Sequence, residues 1–187
     1  MSVLKKFNRG FFKTWSHNMA YVLGFLFADG NIVKTKRNTH FISLYTADKG
    51  LIVSIRKLLQ SNHKISKRSS DTGCVYRIQI GSKELFEDLG RLGLTPNKTF
   101  RMRLPVIPRV FLADFVRGYF DGDGNVWSGL LHKHRKTQTQ ILQVAFTSGC
   151  REFLADLLCV LHLMGIQGGS LYQLKNRHCS RLILSTR

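Results

Sequence analysis

The pattern of apolar and polar positions repeats itself along the chain. Two apolar runs with helical spacing, YVLGFLFADG at residues 21–30 and FVRGYFDGDG at residues 115–124, both end in Asp-Gly. From residues 40 and 141 onward, each run is followed by a strand rich in β-branched and aromatic residues, then an amphipathic helix, then a polar turn and an alternating strand. The pattern predicts two copies of a helix, hairpin, helix, hairpin unit.

The repeat predicts how the chain is organised. A basic N-terminal extension covers residues 1–17, a first repeat covers 18–92, and a second repeat covers 111–187. The segment 93–110 holds all 3 prolines of the chain, which is typical of a linker. The first repeat ends in a further helix predicted at 82–92, whereas the second stops at Arg187, where the corresponding helix is expected and is missing.

A glycine in the middle of each apolar run predicts how the two motif helices pack. Gly24 and Gly118 stand at the same distance from the final aspartates, Asp29 and Asp123. Glycine weakens a helix by roughly 1 kcal/mol relative to alanine, so its recurrence indicates a helix contact that leaves no room for a side chain. Helices packed side by side would bring Asp29 and Asp123 together at their C-terminal ends.

Paired carboxylates at helix C-termini predict metal chemistry. They repel each other, and each lies at the negative end of a helix dipole, so divalent cations relieve both effects. Ligation by oxygen alone suits Mg²⁺, and metal ions about 4 Å apart can clamp the attacking and leaving oxygens of a phosphodiester. The sequence therefore predicts a metal-dependent nuclease.

The charge of the chain predicts a polyanionic partner. The 29 Lys and Arg against 11 Asp and Glu give a formal net charge of +18. Nucleic acid is the first candidate and an anionic membrane surface the second. No apolar run reaches the roughly 20 residues needed to span a bilayer, so a membrane partner is not expected. The N-terminus does not have the pattern of a signal peptide, and an intracellular location is expected.

A zinc site is an alternative metal centre. Cys159, His162, His178 and Cys179 supply suitable ligands, but their spacing is loose. Cys159 also lies in an apolar helical run, where a buried thiol is ordinary. The pattern favours a structural role for these residues.

The two runs resemble the motifs of LAGLIDADG homing endonucleases, at residues 22–30 and 116–124, and the resemblance extends over about residues 18–187. It implies a single-chain, two-motif enzyme with an α+β fold. Tandem αββαββα repeats would be related by a pseudo-twofold axis, with the motif helices packed at the centre. Their concave antiparallel sheets would form a DNA-binding saddle.

The resemblance also implies the activity and the metal ligands. A monomer would hydrolyse both strands of a long asymmetric duplex site with Mg²⁺, for which Mn²⁺ substitutes. The metal-binding acids of the family correspond to Asp29 and Asp123, and the adjoining Ala28 and Gly122 belong to the expected metal-binding set.

Further catalytic candidates follow from the same resemblance. Lys98 matches a lysine that follows the last helix of the first repeat, where it could orient the nucleophilic water; the alternative is a solvated linker lysine. Thr46 and Thr147 are predicted at matching strand ends, where they would hold metal-bound waters, although threonine in strands is also common for packing. Asp121, whose counterpart is Phe27, is expected to be a helix-end or packing residue.

Each repeat is expected to supply about four strands and to follow the major groove, so that the site spans roughly 20 base pairs. Arginine and glutamine would read bases, and lysine would contact phosphates. The candidate contacts are Lys34, Lys36, Arg37, Lys67, Arg68, Arg77 and Gln79 in the first repeat and Lys133, Arg135, Lys136, Gln138, Gln140, Gln143, Lys175, Arg177 and Arg181 in the second.

Two other functions fit the same fold. One is an RNA-binding factor that assists intron splicing, because a basic surface serves either nucleic acid. The other is a DNA-binding regulator that does not cleave, which would be expected to lose the aspartates. Since both aspartates are present, the sequence favours a site-specific endodeoxyribonuclease with double-stranded DNA as its partner and intron RNA as the alternative.

Overall fold

The predicted order of helices and strands is confirmed in both repeats. The computed structural model describes residues 5–71, 73–131, 139–174 and 178–186. The first repeat consists of α1 (His17–Asp29), β1 (Gly30–Lys34), β2 (His40–Thr46), α2 (Lys49–Leu58), β3 (Ile65–Ser70), β4 (Gly73–Gly81) and α3 (Lys83–Arg91). The second consists of α4 (Leu112–Asp123), β5 (Gly124–Leu131), β6 (Thr139–Ser148), α5 (Arg151–Leu163), β7 (Ser170–Gln173) and β8 (Ser180–Ser185).

Each repeat forms an antiparallel four-stranded sheet with the same strand order. Sheet A has the order β1-β2-β4-β3, and sheet B has the order β5-β6-β8-β7. In sheet A, Leu44 lies opposite both Gly30 and Ile78. In sheet B, Phe146 lies opposite both Gly124 and Leu182. The two sheets can therefore be matched residue by residue, and the predicted α+β fold of tandem repeats is confirmed.

Short polar side chains start the helices of the first repeat. The Ser16 hydroxyl accepts a hydrogen bond from the Met19 amide at the start of α1, and the Ser82 hydroxyl accepts one from Leu85 at the start of α3. The Asp48 carboxylate accepts two at the start of α2. Such caps satisfy amides that the helix leaves without a partner, which is why these residues mark the helix starts.

Packing divides the chain differently from the repeat. One compact unit, unit 1, comprises Met1–Lys98 with Pro105–Gly122, and the other, unit 2, comprises Thr99–Leu104 with Asp123–Arg187. Almost all of α4, the first helix of the second repeat, therefore packs within unit 1. The repeat boundaries drawn from sequence stay a prediction. Among the residues that the structure describes, no helix is long and apolar enough to cross a membrane.

The motif helices α1 and α4 touch through their backbones. A Cβ atom built on Gly24 would lie 2.0 Å from the carbonyl oxygen of Phe115, and one built on Gly118 would lie 1.9 Å from that of Tyr21. The contact is reciprocal, because each oxygen belongs to the residue three positions before the other glycine. No side chain fits at either position. The two helices consequently run side by side in matching register.

The N-terminal extension is packed onto unit 1. The Lys6 amide donates to the Asn62 side chain, and the Asn62 amide donates to the Lys6 carbonyl. Phe12 is buried, and the ring of Trp15 stacks on that of Phe111 with centroids 6.1 Å apart. These contacts make the basic extension part of unit 1.

The helix-covered faces of the two sheets differ in burial. In unit 1, α3 packs against β2, whereas unit 2 has no counterpart of α3 among its described residues. Ile32 is 1% exposed, but its equivalent in sheet B, Val126, is 55% exposed. The same position is therefore core in one unit and surface in the other.

We expect Gly24→Ala and Gly118→Ala to destabilise the protein by about 1–3 kcal/mol each, because a backbone carbonyl must move to admit the methyl group. Gly90→Ala in α3 is the matched control, since a Cβ there meets nothing within 4 Å. That change should stabilise by about 0.5–1 kcal/mol, because alanine is the better helix former. Urea unfolding measures all three, and equal effects at the three glycines would contradict the close approach.

We expect Ile32→Ala to destabilise by about 2–4 kcal/mol and Val126→Ala by less than about 1 kcal/mol, because only the first leaves a cavity in a core. The two positions are equivalent in strand pairing, so they share the cost of placing alanine in a strand. Thermal and urea unfolding of both variants provide the measurement. A Val126→Ala cost as large as that of Ile32→Ala would contradict the exposed face.

Candidate active site and nucleic-acid interface

The motif aspartates end their helices at the point where the helices pack. Asp29 is the last residue of α1 and Asp123 the last of α4, and both are half-buried. A Cβ built on Gly122 would lie 2.4 Å from the Ala28 Cβ and 3.5 Å from the Asp29 Oδ2. The Asp29 carboxylate therefore lies beside the last turn of α4, next to the residue that precedes Asp123 in the chain.

Lys98 binds the C-terminal end of α1. Its Nζ donates hydrogen bonds to the carbonyl oxygens of Phe27 and Ala28, the latter at 2.7 Å. The side chain is half-buried, so the interpretation of Lys98 as a solvated linker lysine is wrong. Its positive charge offsets the negative end of the α1 dipole and stands close to Asp29 along the helix.

The donors at this site suit a small divalent cation. Within the described parts of the chain, no three His, Cys, Asp or Glu side chains come together as a metal-binding group. At the end of α1, Asp29 provides a carboxylate and Ala28 a backbone carbonyl oxygen. Mg²⁺ typically takes one or two carboxylates and completes its ligands with water and phosphate oxygens. These residues fit such an ion.

The predicted match between Thr46 and Thr147 is wrong by one residue. Because Leu44 and Phe146 are equivalent, Thr46 corresponds to Ser148 and Tyr45 to Thr147. The hydrogen bonds of the hydroxyls support the correspondence of Thr46 with Ser148. Thr46 Oγ1 accepts from the Asp48 amide at 3.1 Å, and Ser148 Oγ accepts from the Cys150 amide at 3.1 Å. A slip of one residue moves a side chain to the other face of a strand, so Thr46 and Thr147 lie on different faces.

One face of sheet A presents polar side chains, of which Arg77 and Gln79 are exposed. We call it open face A. Residues directly opposite each other share a face, and Arg77 lies opposite Tyr45 and Ser66. Gln79, two residues along, lies opposite Ser43, and its Nε2 donates to the Ser43 Oγ at 3.3 Å. A groove of about 670 Å³ runs along this face past Arg77 and Arg68.

The corresponding face of sheet B, open face B, has different chemistry. Arg181 lies opposite Thr147 and Tyr172. Gln143 lies opposite Trp127 and Ser185, and its Nε2 donates to the Ser185 Oγ at 3.1 Å. A groove of about 1110 Å³ is lined by Gln143, Tyr172 and Arg181 among others. Both open faces thus combine arginine with an oriented glutamine amide.

The structure sorts the predicted DNA contacts into four groups. Those on the open faces are Arg68, Arg77, Gln79, Gln143 and Arg181. Those in the exposed turn between β1 and β2 are Lys36 and Arg37. Those in strand rows of the opposite face are Lys34, Lys67 and Gln140, although Lys67 also lines the groove of open face A. Those outside the described residues are Lys133, Arg135, Lys136, Gln138, Lys175 and Arg177.

Sequence reasoning missed the aromatic and hydroxyl residues of the open faces. Tyr45, Trp127 and Tyr172 are at least partly exposed there, and Ser43 and Ser185 orient the glutamines. Strand pairing was the signal needed to find them, because each lies directly opposite a predicted contact.

The interpretation of Cys159 as an ordinary buried thiol is wrong. Cys159 is exposed on α5. One turn later, His162 Nε2 lies 2.7 Å from the carbonyl oxygen of Gly168. The apolar run that suggested burial extends past the side of α5 that packs on sheet B, where Phe153, Leu157 and Leu161 form the core.

Comparison with known proteins agrees with this architecture. Residues 16–93 match a protein family described as a LAGLIDADG-like domain. A solved structure of a mutant of I-SmaMI is similar, with a TM-score of 0.62, 13% identity and coverage of 89% of this chain and 79% of that chain. No curated protein matches the chain significantly.

Two further solved structures share the fold. I-DmoI in complex with DNA and Mn has a TM-score of 0.58 at 17% identity, covering 89% of this chain and 88% of that chain. The I-LtrWI LAGLIDADG homing endonuclease bound to target DNA has a TM-score of 0.56 at 14% identity, covering 91% and 78%. Residues 16–93 are thus confirmed as a LAGLIDADG-like domain, and the chain as a whole has the two-repeat fold of the LAGLIDADG homing endonucleases.

Proposed function

We propose that the protein is a site-specific DNA endonuclease that binds a long asymmetric duplex and hydrolyses both strands with divalent metal ions. The observation that carries the proposal is the reciprocal packing of α1 and α4, which puts Asp29 beside the last turn of the helix that ends in Asp123. Solved structures of the same fold include one bound to target DNA and one in complex with DNA and Mn, which supports this assignment.

Asp29 and Asp123 are the proposed metal ligands, with Mg²⁺ as the expected ion and Mn²⁺ as a substitute. Bound divalent cations would neutralise charge on the scissile phosphate and on the leaving oxygen. The carboxylates would hold the ions at the C-terminal ends of the motif helices. The half-buried setting of both side chains limits the positions they can adopt, which favours a single arrangement of the phosphate.

Lys98 is the proposed electrostatic partner of the phosphate. The carbonyls of Phe27 and Ala28 fix its Nζ at the end of α1, so the positive charge is in place before DNA binds. A fixed charge that needs no reorganisation stabilises the developing negative charge of a transition state. Lysine does so as a point charge, and arginine would not fit the same pair of carbonyls in the same way.

The open faces are the proposed surfaces for reading DNA. Arg77 and Arg181 occupy equivalent positions, and arginine reads guanine in the major groove. Their neighbours differ: Gln79 of open face A corresponds to Ile183 of open face B, and Ser43 corresponds to Ala145. Because equivalent positions offer different hydrogen-bonding groups, the two half-sites are expected to differ in sequence.

Cleavage should require Mg²⁺ or Mn²⁺ and stop in EDTA. Asp29→Asn and Asp123→Asn should each reduce double-strand cleavage by at least about a hundredfold while DNA affinity changes little, because the carboxylates act on the metal and not on base recognition. Cleavage assays on a site selected from a randomised library, with binding measured in Ca²⁺, provide the test. Glu87→Gln on the exposed side of α3 is the control. Normal cutting by either aspartate variant would remove that residue from the metal site.

Arg77→Ala should relax specificity at one base pair and cost about 1–3 kcal/mol in binding to the preferred site. Lys36→Ala, in the exposed turn, should weaken binding to all sequences alike and reduce the salt dependence by about one counterion. Binding to single-base variants of the site at several salt concentrations distinguishes the two. The same uniform loss for both variants would argue against base reading by open face A.

A further inference from the structure

Two side-chain contacts, which we call braces, join α1 and α4 next to the contact at Gly24 and Gly118. They involve equivalent positions of the two motifs. Since Gly24 and Gly118 are equivalent, Tyr21 corresponds to Phe115 and Phe27 to Asp121. Phe27 of α1 packs edge-on against Phe115 of α4, with ring centroids 5.4 Å apart. In the equivalent place, the Tyr21 hydroxyl donates a 2.7 Å hydrogen bond to Asp121 Oδ2. One brace is apolar and the other is polar.

The chemistry of each brace follows its burial. Phe27 and Phe115 are both fully buried, whereas Asp121 is exposed. An apolar side chain at position 121 would stand in solvent, so a polar pair suits that side. Arg117 covers the Tyr21 ring, its guanidinium carbon 4.6 Å from the ring centroid. The Tyr21 ring is thus packed beneath a side chain of the same helix as Asp121.

The hydroxyl of Tyr21 stays protonated over the pH range in which nucleases act. Burial, together with the hydrogen bond to Asp121, raises its pKa well above the ordinary value for tyrosine. The Tyr21 hydroxyl therefore remains a hydrogen-bond donor, and the Asp121 carboxylate is its acceptor.

Each brace holds the helix turn that carries a motif aspartate. Phe27 stands two residues before Asp29, and Asp121 stands two residues before Asp123. The tight contact of Ala28 with Gly122 lies between the braces and the aspartates along both helices. Rotation of the last turn of α4 would redirect the Asp123 carboxylate. The Tyr21 hydrogen bond opposes that rotation.

We propose that Tyr21 and Asp121 are a positioning pair for Asp123, which orients the last turn of α4 as the Phe27–Phe115 contact orients the last turn of α1. The inference rests on the proposed function, in which Asp123 holds a divalent ion. It assigns a task to Asp121 beyond that of a helix-end residue. It also separates Asp121 from the metal ligands, since its carboxylate acts through a hydrogen bond to tyrosine.

Three variants test the pair. Tyr21→Phe removes the donor and keeps the ring, and we expect kcat to fall about tenfold with KM for DNA unchanged. Asp121→Asn keeps an acceptor for the hydroxyl, and its kcat should stay within about threefold of the original. The double variant Tyr21→Phe/Asp121→Phe rebuilds the apolar brace found at Phe27 and Phe115, and it should recover most of the lost kcat.

Controls separate positioning from loss of folding. Tyr76→Phe in β4 is the matched tyrosine variant, and circular dichroism at the assay temperature establishes that each protein is folded. Full kcat in Tyr21→Phe would overturn the proposal. Loss of cleavage in Asp121→Asn as severe as in Asp123→Asn would also overturn it, because the charge of Asp121 would then act directly.

Mn²⁺ binding by calorimetry gives a readout that does not need cleavage. Tyr21→Phe should weaken Mn²⁺ binding several-fold, and the double variant should restore it. If the wild-type protein cleaves no selected site, the proposed function fails, while the Mn²⁺ titrations still decide whether the pair positions Asp123. Equal Mn²⁺ affinity in wild type and Tyr21→Phe would overturn the positioning role.

Discussion

The reciprocal contact of the motif helices is the constraint on which the site depends. Gly24 and Gly118 each make room for a backbone carbonyl of the other helix, so neither helix can slide along its partner without a clash. That contact fixes the register of α1 and α4. The register in turn places Ala28 against Gly122 and sets the Asp29 carboxylate beside the last turn of α4. The two glycines thereby determine where the Asp29 carboxylate lies.

The two helices meet the same constraint in different surroundings. Every residue of α1 from Met19 to Phe27 is buried, whereas α4 buries only Leu112, Phe115, Gly118 and Tyr119. The exposed side of α4 explains why a polar brace replaces an apolar one, and why arginine and aspartate appear in a motif whose first copy has neither there. Lys98 adds a further difference, because its ammonium binds the end of α1. The backbone contact between α1 and α4 is thus symmetric, whereas the side chains around it differ between the two helices.

The order of the elements, the motif helices and their glycine contact were predictable, because periodicity and duplication are local properties of sequence. The pairing of Thr46 with Thr147 was not. Both strands carry apolar residues on adjacent positions, and an apolar run in which alternation is weak does not define register to one residue. The faces on which Lys34 and Lys67 lie also depend on strand register, which a charged residue near a strand end does not define. The contacts of Lys98 link residues far apart in sequence, so only the fold shows them.

Strand alternation has a consequence for how this protein can change. In sheet A, one set of alternate residues, such as Ile32, Ile42 and Ile80, fills the core, and the other set, such as Ser43, Arg77 and Gln79, lies on the open face. Substitutions in the second set leave the first untouched. Under the proposed function, the residues that read each half-site can therefore change on their own sheet, with little loss of folding stability and without altering the helix ends that carry the aspartates. The surfaces proposed to read DNA can thus evolve while the helix ends proposed to cut it stay constant.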